Sequence, residues 1–348
     1  MPRKGITQVP PGLSDWLPGE AAFKRQLESR LAELFTRWGY REVITPTLEY
    51  LDTLVQEESL IAEVEMHKFV DREGHIVALR PDMTVPLARL VATRLREEEF
   101  PLRLFYLANV FRFESPQAGR RREFYQAGVE LLGAAGCQAD AEVIALAVES
   151  LRCVGVKNFQ VGIGHVGIME AEFGAVPGLD AENAKEALAG KDLVRLEALL
   201  DSSDLPARER ERLMSLYTLY GRWEAVDRGL KLAATEKARA ALEGLGKVLE
   251  ALRAYGVEEL VFLDLGIVRN FDYYTGIIFE GYAGGMGFPL LGGGRYDELL
   301  SKFGYSCPAT GFALGVERGI LALRREGLLT EEKEIDYLVT GSDYLAMI

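Results

Sequence analysis

Residues 110–133 read VFRFESPQAGRRREFYQAGVELLG, and this stretch decides the fold. Arg112, Arg120, Arg121 and Arg122 gather there around Glu114, Gln117, Gln126 and Glu130. The run Leu102-Arg103-Leu104-Phe105-Tyr106 leads in as a strand, and residues 123–132 alternate apolar with polar. Between them, Ser115-Pro116-Gln117-Ala118-Gly119 has the Pro and Gly of a turn. Two antiparallel strands then carry arginines near the loop and carboxylates deeper in. Such a pair suits a ligand with an anionic end and a cationic or hydrogen-bonding end. A solvated charged hairpin is the plainer reading. It is disfavoured because the carboxylates and amides sit inside an otherwise apolar strand pattern.

Five more segments bear on the same question. They are Gly39-Tyr40-Arg41-Glu42-Val43-Ile44-Thr45-Pro46-Thr47-Leu48-Glu49 and Leu79-Arg80-Pro81-Asp82-Met83-Thr84 in the first third of the chain. Later come Arg269-Asn270-Phe271-Asp272-Tyr273-Tyr274-Thr275-Gly276, Gly292-Gly293-Gly294-Arg295-Tyr296-Asp297 and Gly311-Phe312-Ala313-Leu314-Gly315-Val316-Glu317-Arg318. Residues 110–133 resemble motif 2 of class II aminoacyl-tRNA synthetases, in the version found in histidyl-tRNA synthetase and its paralogues. The other five resemble, in order, motif 1, the amino-group-binding strand, two histidine-specific signatures and motif 3. Each match is weak alone; six in the right order over most of residues 11–324 are specific.

Composition sets the bounds. The chain has 348 residues, enough for two domains, and 48% are hydrophobic, so a sizeable core is expected rather than disorder. Cys137, Cys153 and Cys307 are far apart and odd in number, which fits a reducing cytoplasmic setting without a disulfide framework. His67, His75 and His165 have no Cys or His at ligand spacing, so no metal is expected. No apolar run has the length of a membrane span. The formal net charge of −13 argues against loose nucleic-acid binding, though a local basic patch is compatible with it.

Along the chain, Leu27, Leu31, Leu34, Phe35 and Trp38 recur at helical spacing and Gly39 is placed to stop the helix. A strand over 41–45 follows. A hairpin is expected from 67–70 and 76–79 around the turn 71–74, then helices over 84–98 and 139–153. Short strands are expected over 159–163, 260–263, 274–280 and 288–291, and a strand-to-helix unit over 311–323. Between 170 and 254 the chain turns rich in Ala, Leu, Glu, Lys and Arg, with leucines at helical intervals. The expected fold is α+β: an antiparallel sheet of the class II synthetase kind flanked by helices. Residues 1–169 and 255–325 form its core, 170–254 a helical insertion, and 326–348 a tail or the start of a further domain.

By residue chemistry, Asp82, Thr84 and Gln126 offer oxygen acceptors to an ammonium group, and Arg269 can pair with a carboxylate. Glu130 lies four residues beyond Gln126, hence on the same strand face. The resemblance implies that these residues, with Tyr273 and Tyr274, hold L-histidine. It also implies that Arg112, Arg120, Arg122 and Arg318 face a nucleotide or phosphate. Taken singly, each residue has a mundane alternative: a buried ion-pair member, a core aromatic. Gly292, Gly293 and Gly294 let backbone approach a ligand, or form a tight turn.

The chain departs from the synthetase pattern at Asp82 (Glu there), Ser115 (Arg), Tyr125 (His) and Asn270-Phe271 (Gly-Leu), while keeping Arg269. Only 24 residues follow Arg324 in the 348-residue chain, fewer than an independent fold usually needs, so no anticodon-binding domain is expected within it. Together these features resemble the paralogue family that serves as regulatory subunit of ATP phosphoribosyltransferase. That resemblance implies a short-form catalytic subunit as partner, L-histidine as feedback effector, and no catalysis, cofactor or tRNA. The motif 1 region implies a homodimer. The alternative is a histidyl-tRNA synthetase core; a synthetase-like enzyme acting on another target is a third class.

Overall fold

The computed structural model describes residues 8–55, 66–113, 121–203, 205–267 and 273–329. Twelve strands within them form two sheets. The large sheet is built around β5 (Leu102–Phe111) and β6 (Glu123–Leu132), paired antiparallel from Leu102 opposite Leu132 to Phe111 opposite Glu123. The turn expected at 115–119 lies outside the described residues. Next to β6 lies β12 (Ala309–Gly315), then β11 (Leu291–Arg295), β10 (Ile277–Ala283) and β7 (Phe159–His165). All of these neighbours run antiparallel. Parallel pairs occur only towards the ends, where β1 (Arg41–Glu42) joins β5 and β9 (Val261–Asp264) joins β7. The two-residue β8 (Tyr220–Gly221) closes the far edge. A separate three-stranded sheet has β4 (Ile76–Leu79) between β2 (Leu48–Tyr50) and β3 (Lys68–Val70).

Strand alternation assigns the two faces of the large sheet. Ala127, Val129 and Leu131 of β6 point into a core shared with α1 (Pro18–Arg37), α4 (Cys137–Val154) and α10 (Glu236–Ala254). Leu132, with Leu104 and Tyr106 of β5, belongs to a second cluster under α3 (Thr84–Leu90) and the small sheet. Gln126 and Glu130 share the parity of Leu132, so β6 presents them on this second side. The α4 helix shows why its residues form a helix. Apolar positions from Ala139 to Val154 recur at helical spacing, and Gly155 ends it in a left-handed conformation at φ 102°.

Residues 166–254 are mostly helical, interrupted by β8: α5 (Val166–Gly174), α6 (Ala181–Ala189), α7 (Leu193–Ser202), α8 (Ala207–Tyr217), α9 (Trp223–Leu232) and α10. Asp180, Asp192 and Thr235 cap three of them, each side chain accepting from a backbone N–H three residues on. Their leucines join the same cluster as the sheet-facing helices. No helix among the described residues is long and apolar enough to cross a membrane.

Several expected boundaries shift. The strand at 41–45 shrinks to Arg41–Glu42, because β5 is its only sheet neighbour, and Ile44 is 85% exposed. The helix expected over 84–98 keeps α-geometry only to Leu90, then widens to a π turn over Val91–Leu95. The strands expected at 274–280 and 288–291 begin three residues later. Gly292, Gly293 and Gly294 form the middle of β11, not a turn. A Cβ on Gly293 would lie 2.2 Å from the Gly311 carbonyl oxygen, and one on Gly294 2.7 Å from the Tyr274 ring. These glycines therefore admit close neighbours in the sheet. Residues 330–348, most of the expected tail, lie outside the described residues.

Candidate functional site

A cleft of about 300 Å³ opens on the second face of the sheet, with β6 and β12 as its floor. On β6, Phe124, Gln126 and Glu130 line it, at the even positions that face away from the main core. On β12, Gly311, Ala313 and Gly315 do the same, while Phe312 and Leu314 pack into the core behind. The floor is open because β12 offers small residues there. A Cβ on Gly311 would sit 1.7 Å from a Glu130 carboxylate oxygen.

At the inner end stand Asp82, Thr84, Gln126, Glu130, Tyr273, Tyr274 and Tyr296. Asp82 precedes α3, and its Oδ1 accepts from the backbone N–H of Thr84 (3.0 Å) and Val85 (3.3 Å). Its Oδ2 is buried with no hydrogen-bond partner among the described residues, and so is Oε1 of Gln126. Burial pushes the Asp82 carboxyl above its ordinary range, against the pull of Arg112 and the two N–H groups. Glu130 is 1% exposed. It accepts from the Tyr296 hydroxyl and from Thr84 Oγ1 at 3.3 Å, and the Tyr106 hydroxyl lies close by. Burial raises its carboxyl to about 8; the three hydroxyls oppose that rise and Asp82 adds to it. Tyr273 and Tyr274 stack at 4.5 Å between ring centroids with their hydroxyls 3.4 Å apart, and Tyr273 meets Tyr296 edge-on.

The outer end is rich in arginine, and these side chains have protein partners. Arg112 donates to the Pro81 carbonyl at 2.9 Å and lies 5.4 Å from the Phe124 ring. Arg318 donates to the Pro289 carbonyl at 2.8 Å beside Phe288. Arg121 lies over Trp16, and Arg324 pairs with Glu20 at 2.5 Å across the mouth. Glu317 accepts from the Tyr125 backbone N–H at 2.9 Å, tying α11 (Val316–Arg325) to β6.

Asp82, Thr84, Gln126, Glu130, Tyr273, Tyr274, Arg112 and Arg318 thus meet in one cleft. Arg122 is not among its lining residues: it lies 4.3 Å from the Phe113 ring, with its Cγ in the space beside Gly12. Arg120 and Arg269 lie outside the described residues. Sequence reasoning missed Tyr296, Tyr106, Arg121 and Trp16. Tyr296 was within reach, since it follows Arg295 in a motif already singled out. Tyr106 gives no local signal; only the pairing of Tyr106 opposite Gly128 carries its hydroxyl to the site. Asp71, Glu73 and His75 cluster on the exposed β3–β4 turn, where Asp71 accepts from two backbone N–H groups as a turn former.

A family model described as histidyl-tRNA synthetase matches residues 12–318. The ATP phosphoribosyltransferase regulatory subunit of Moorella thermoacetica is 51% identical over 98% of this chain and 88% of that protein. Its counterpart in Desulforamulus reducens is 48% identical over 97% of this chain and 84% of that protein. A crystal structure described as an ATP phosphoribosyltransferase regulatory subunit/histidyl-tRNA synthetase from Bacillus halodurans C superposes with a TM-score of 0.86. It is 40% identical, over 91% of this chain and 83% of that one.

Proposed function

The chain belongs to the histidyl-tRNA synthetase-like family of ATP phosphoribosyltransferase regulatory subunits, and from that premise we propose that its cleft binds L-histidine and reports its occupancy to a catalytic subunit. One observation carries the reading. Two buried acceptors at the inner end, Asp82 Oδ2 and Gln126 Oε1, lack protein partners. A buried acceptor left unpaired costs about 1–3 kcal/mol, and a ligand ammonium satisfies both. The buried Glu130 then meets the imidazole, with Tyr274 as a second polar contact and Arg269 pairing with the carboxylate.

The partner is a short-form ATP phosphoribosyltransferase catalytic subunit, which this chain activates in the first step of L-histidine biosynthesis in the cytoplasm. The chain itself makes no bond, uses no cofactor and charges no tRNA. For histidine to inhibit the complex, it must bind the active and inhibited forms with different affinity. A coupling of about 1–3 kcal/mol spans a several-fold to hundredfold effect. A homodimer forms through the motif 1 region, where Ile44 and Leu48 are exposed apolar side chains, continued by Tyr50 and by Phe69, Val70 and Ile76 on the small sheet beside it. Residues 170–254 act as a helical insertion domain on the synthetase-like core of 1–169 and 255–325.

The test is a rate assay of the catalytic subunit with this chain added. The wild-type chain is expected to raise the rate and to confer inhibition by histidine. With Glu130→Ala, half-inhibition is expected to need roughly tenfold more histidine or beyond, from the lost buried partner. If the wild-type chain alters neither rate nor histidine sensitivity at saturation, the regulatory reading fails. Arg112 and Arg318 at the outer end favour the synthetase as second reading. Histidine-dependent pyrophosphate exchange with ATP would establish it.

A further inference from the structure

Glu130 is buried in surroundings that hold no counter-charge among the described residues it bonds. Three hydroxyls surround it: those of Tyr296 and Thr84 donate hydrogen bonds, and that of Tyr106 lies close by. The other cleft-lining carboxylate close enough to act on it is Asp82, whose own carboxyl burial also raises, against the pull of Arg112 and two backbone N–H groups. Tyr273 and Tyr274 add phenols on one side, and Tyr40 a further buried phenol. The β12 side brings no titratable group, because Gly311 faces the carboxylate. A lone carboxylate in such a setting takes up a proton rather than remain charged.

We propose that Glu130 carries a proton in the empty cleft and gives it to the imidazole of the incoming histidine. The inference rests on the histidine reading of the site. The carboxyl O–H bond breaks, an imidazole N–H bond forms, and a neutral acid and a neutral ring become a carboxylate–imidazolium pair. Nothing is released to solvent. The three hydroxyls that serve a neutral carboxyl poorly become the solvation shell of a carboxylate once a cation lies beside it. The arrangement selects a ring basic enough to accept the proton, a demand that a merely polar side chain of similar size does not meet.

The numbers allow the exchange near neutral pH. The Glu130 carboxyl is raised to about 8, and a free imidazole titrates at about 6.5. Between those values the empty protein holds the proton and the free ligand lacks it, so their union conserves it.

Two measurements on the full-length chain decide the matter. Calorimetry with L-histidine at about pH 7, in buffers of different ionisation enthalpy, is expected to show proton exchange close to zero. Release of about one proton per histidine would mean that the carboxyl loses its proton to solvent, and overturns the inference while leaving the histidine site intact. Infrared difference spectroscopy is expected to show a protonated-carboxyl band in the empty chain. That band should disappear on histidine binding and be missing from Glu130→Gln. A band that persists unchanged in the complex, or is absent from the empty wild type, also overturns it. No binding at millimolar histidine removes both the inference and the reading beneath it. The proton count and the loss of the band in the wild type need no variant, so a misfolded Glu130→Gln leaves the test standing.

Discussion

Two glutamates in this molecule are both closed off from solvent and differ in depth and in partners. Glu172 in α5 is 0% exposed and Glu130 in β6 is 1% exposed. Glu172 accepts from the backbone N–H groups of Ala234 and Thr235 (both 2.9 Å), from Thr235 Oγ1 (3.0 Å) and from Arg212 (2.6 Å). Burial pushes its carboxyl up, but the Thr235 N–H and Arg212 outweigh burial and hold it below the ordinary range. Glu130 has hydroxyls and a neighbouring carboxylate, and burial wins. Burial alone therefore does not mark a functional acid. A completed set of donors and a counter-ion marks a structural one, here fastening α8 and the start of α10 to α5. An incomplete set facing a cleft marks a site prepared for a ligand.

The largest effect that would test this contrast is loss of the structural anchor. Glu172→Ala leaves the N–H groups of Ala234 and Thr235 without their acceptor, while Arg212 keeps Glu209 and the Leu232 carbonyl, and is expected to cost about 1–3 kcal/mol for each N–H left unpaired. Thermal denaturation reads the loss. Histidine affinity, measured well below the melting range, should stay within about threefold, since Glu172 lies outside the cleft. A comparable loss of histidine binding would break the comparison.

The two acids should also respond to pH with opposite sign. Glu172 is depressed, so its stabilisation is present above the unfolded value near 4.5 and lost as pH falls through its folded value. Glu130 is raised to about 8, so the empty protein is most stable below the unfolded value and loses stability as pH rises towards 8. Between roughly pH 6 and 9 the wild type is expected to lose up to about 3 kcal/mol that Glu130→Gln does not lose. Denaturant melts of both chains at the two pH values check this; parallel curves would show that Glu130 ionises without penalty.

A third change sharpens the account of the inner end. Asp82→Asn keeps an Oδ1 acceptor for the Thr84 and Val85 N–H groups but removes the charge that meets an ammonium. Histidine affinity should fall about tenfold, or roughly 1.4 kcal/mol, with little change in melting temperature. The smallest effect is expected at the mouth. Arg324 and Glu20 form a half-exposed pair, so Arg324→Ala should shift stability by less than about 0.5 kcal/mol. Histidine affinity should scarcely move, because the pair stands at the opposite end of the cleft. A tenfold loss there would mean that the arginine-rich end contributes to amino-acid binding.

Much of the fold is legible in the sequence for local reasons. The α1 heptad-like leucines, the Gly39 stop and the alternation of β6 are each written within a dozen residues, and the structure agrees. The revisions share one cause. Gly292, Gly293 and Gly294 read locally as a close approach to a ligand or as a turn, and they form a strand with β10 and β12 on both sides, where Gly293 and Gly294 leave no space for a Cβ. The strand at 41–45 is cut short for the converse reason, having a neighbour on one side alone.

The sequence by itself determined which chemistry the cleft holds. Asp82, Gln126 and Glu130 carry their acceptors wherever the chain places them, and strand period two puts Gln126 and Glu130 on one face without reference to anything distant. Only the tertiary structure decided the state of those groups. Whether a buried glutamate is charged depends on donors from remote parts of the chain. For Glu172 they arrive from residues 212, 234 and 235; for Glu130 they come as hydroxyls from 84, 106 and 296. Ionisation is a balance of desolvation against assembled partners, and partners are assembled by the fold.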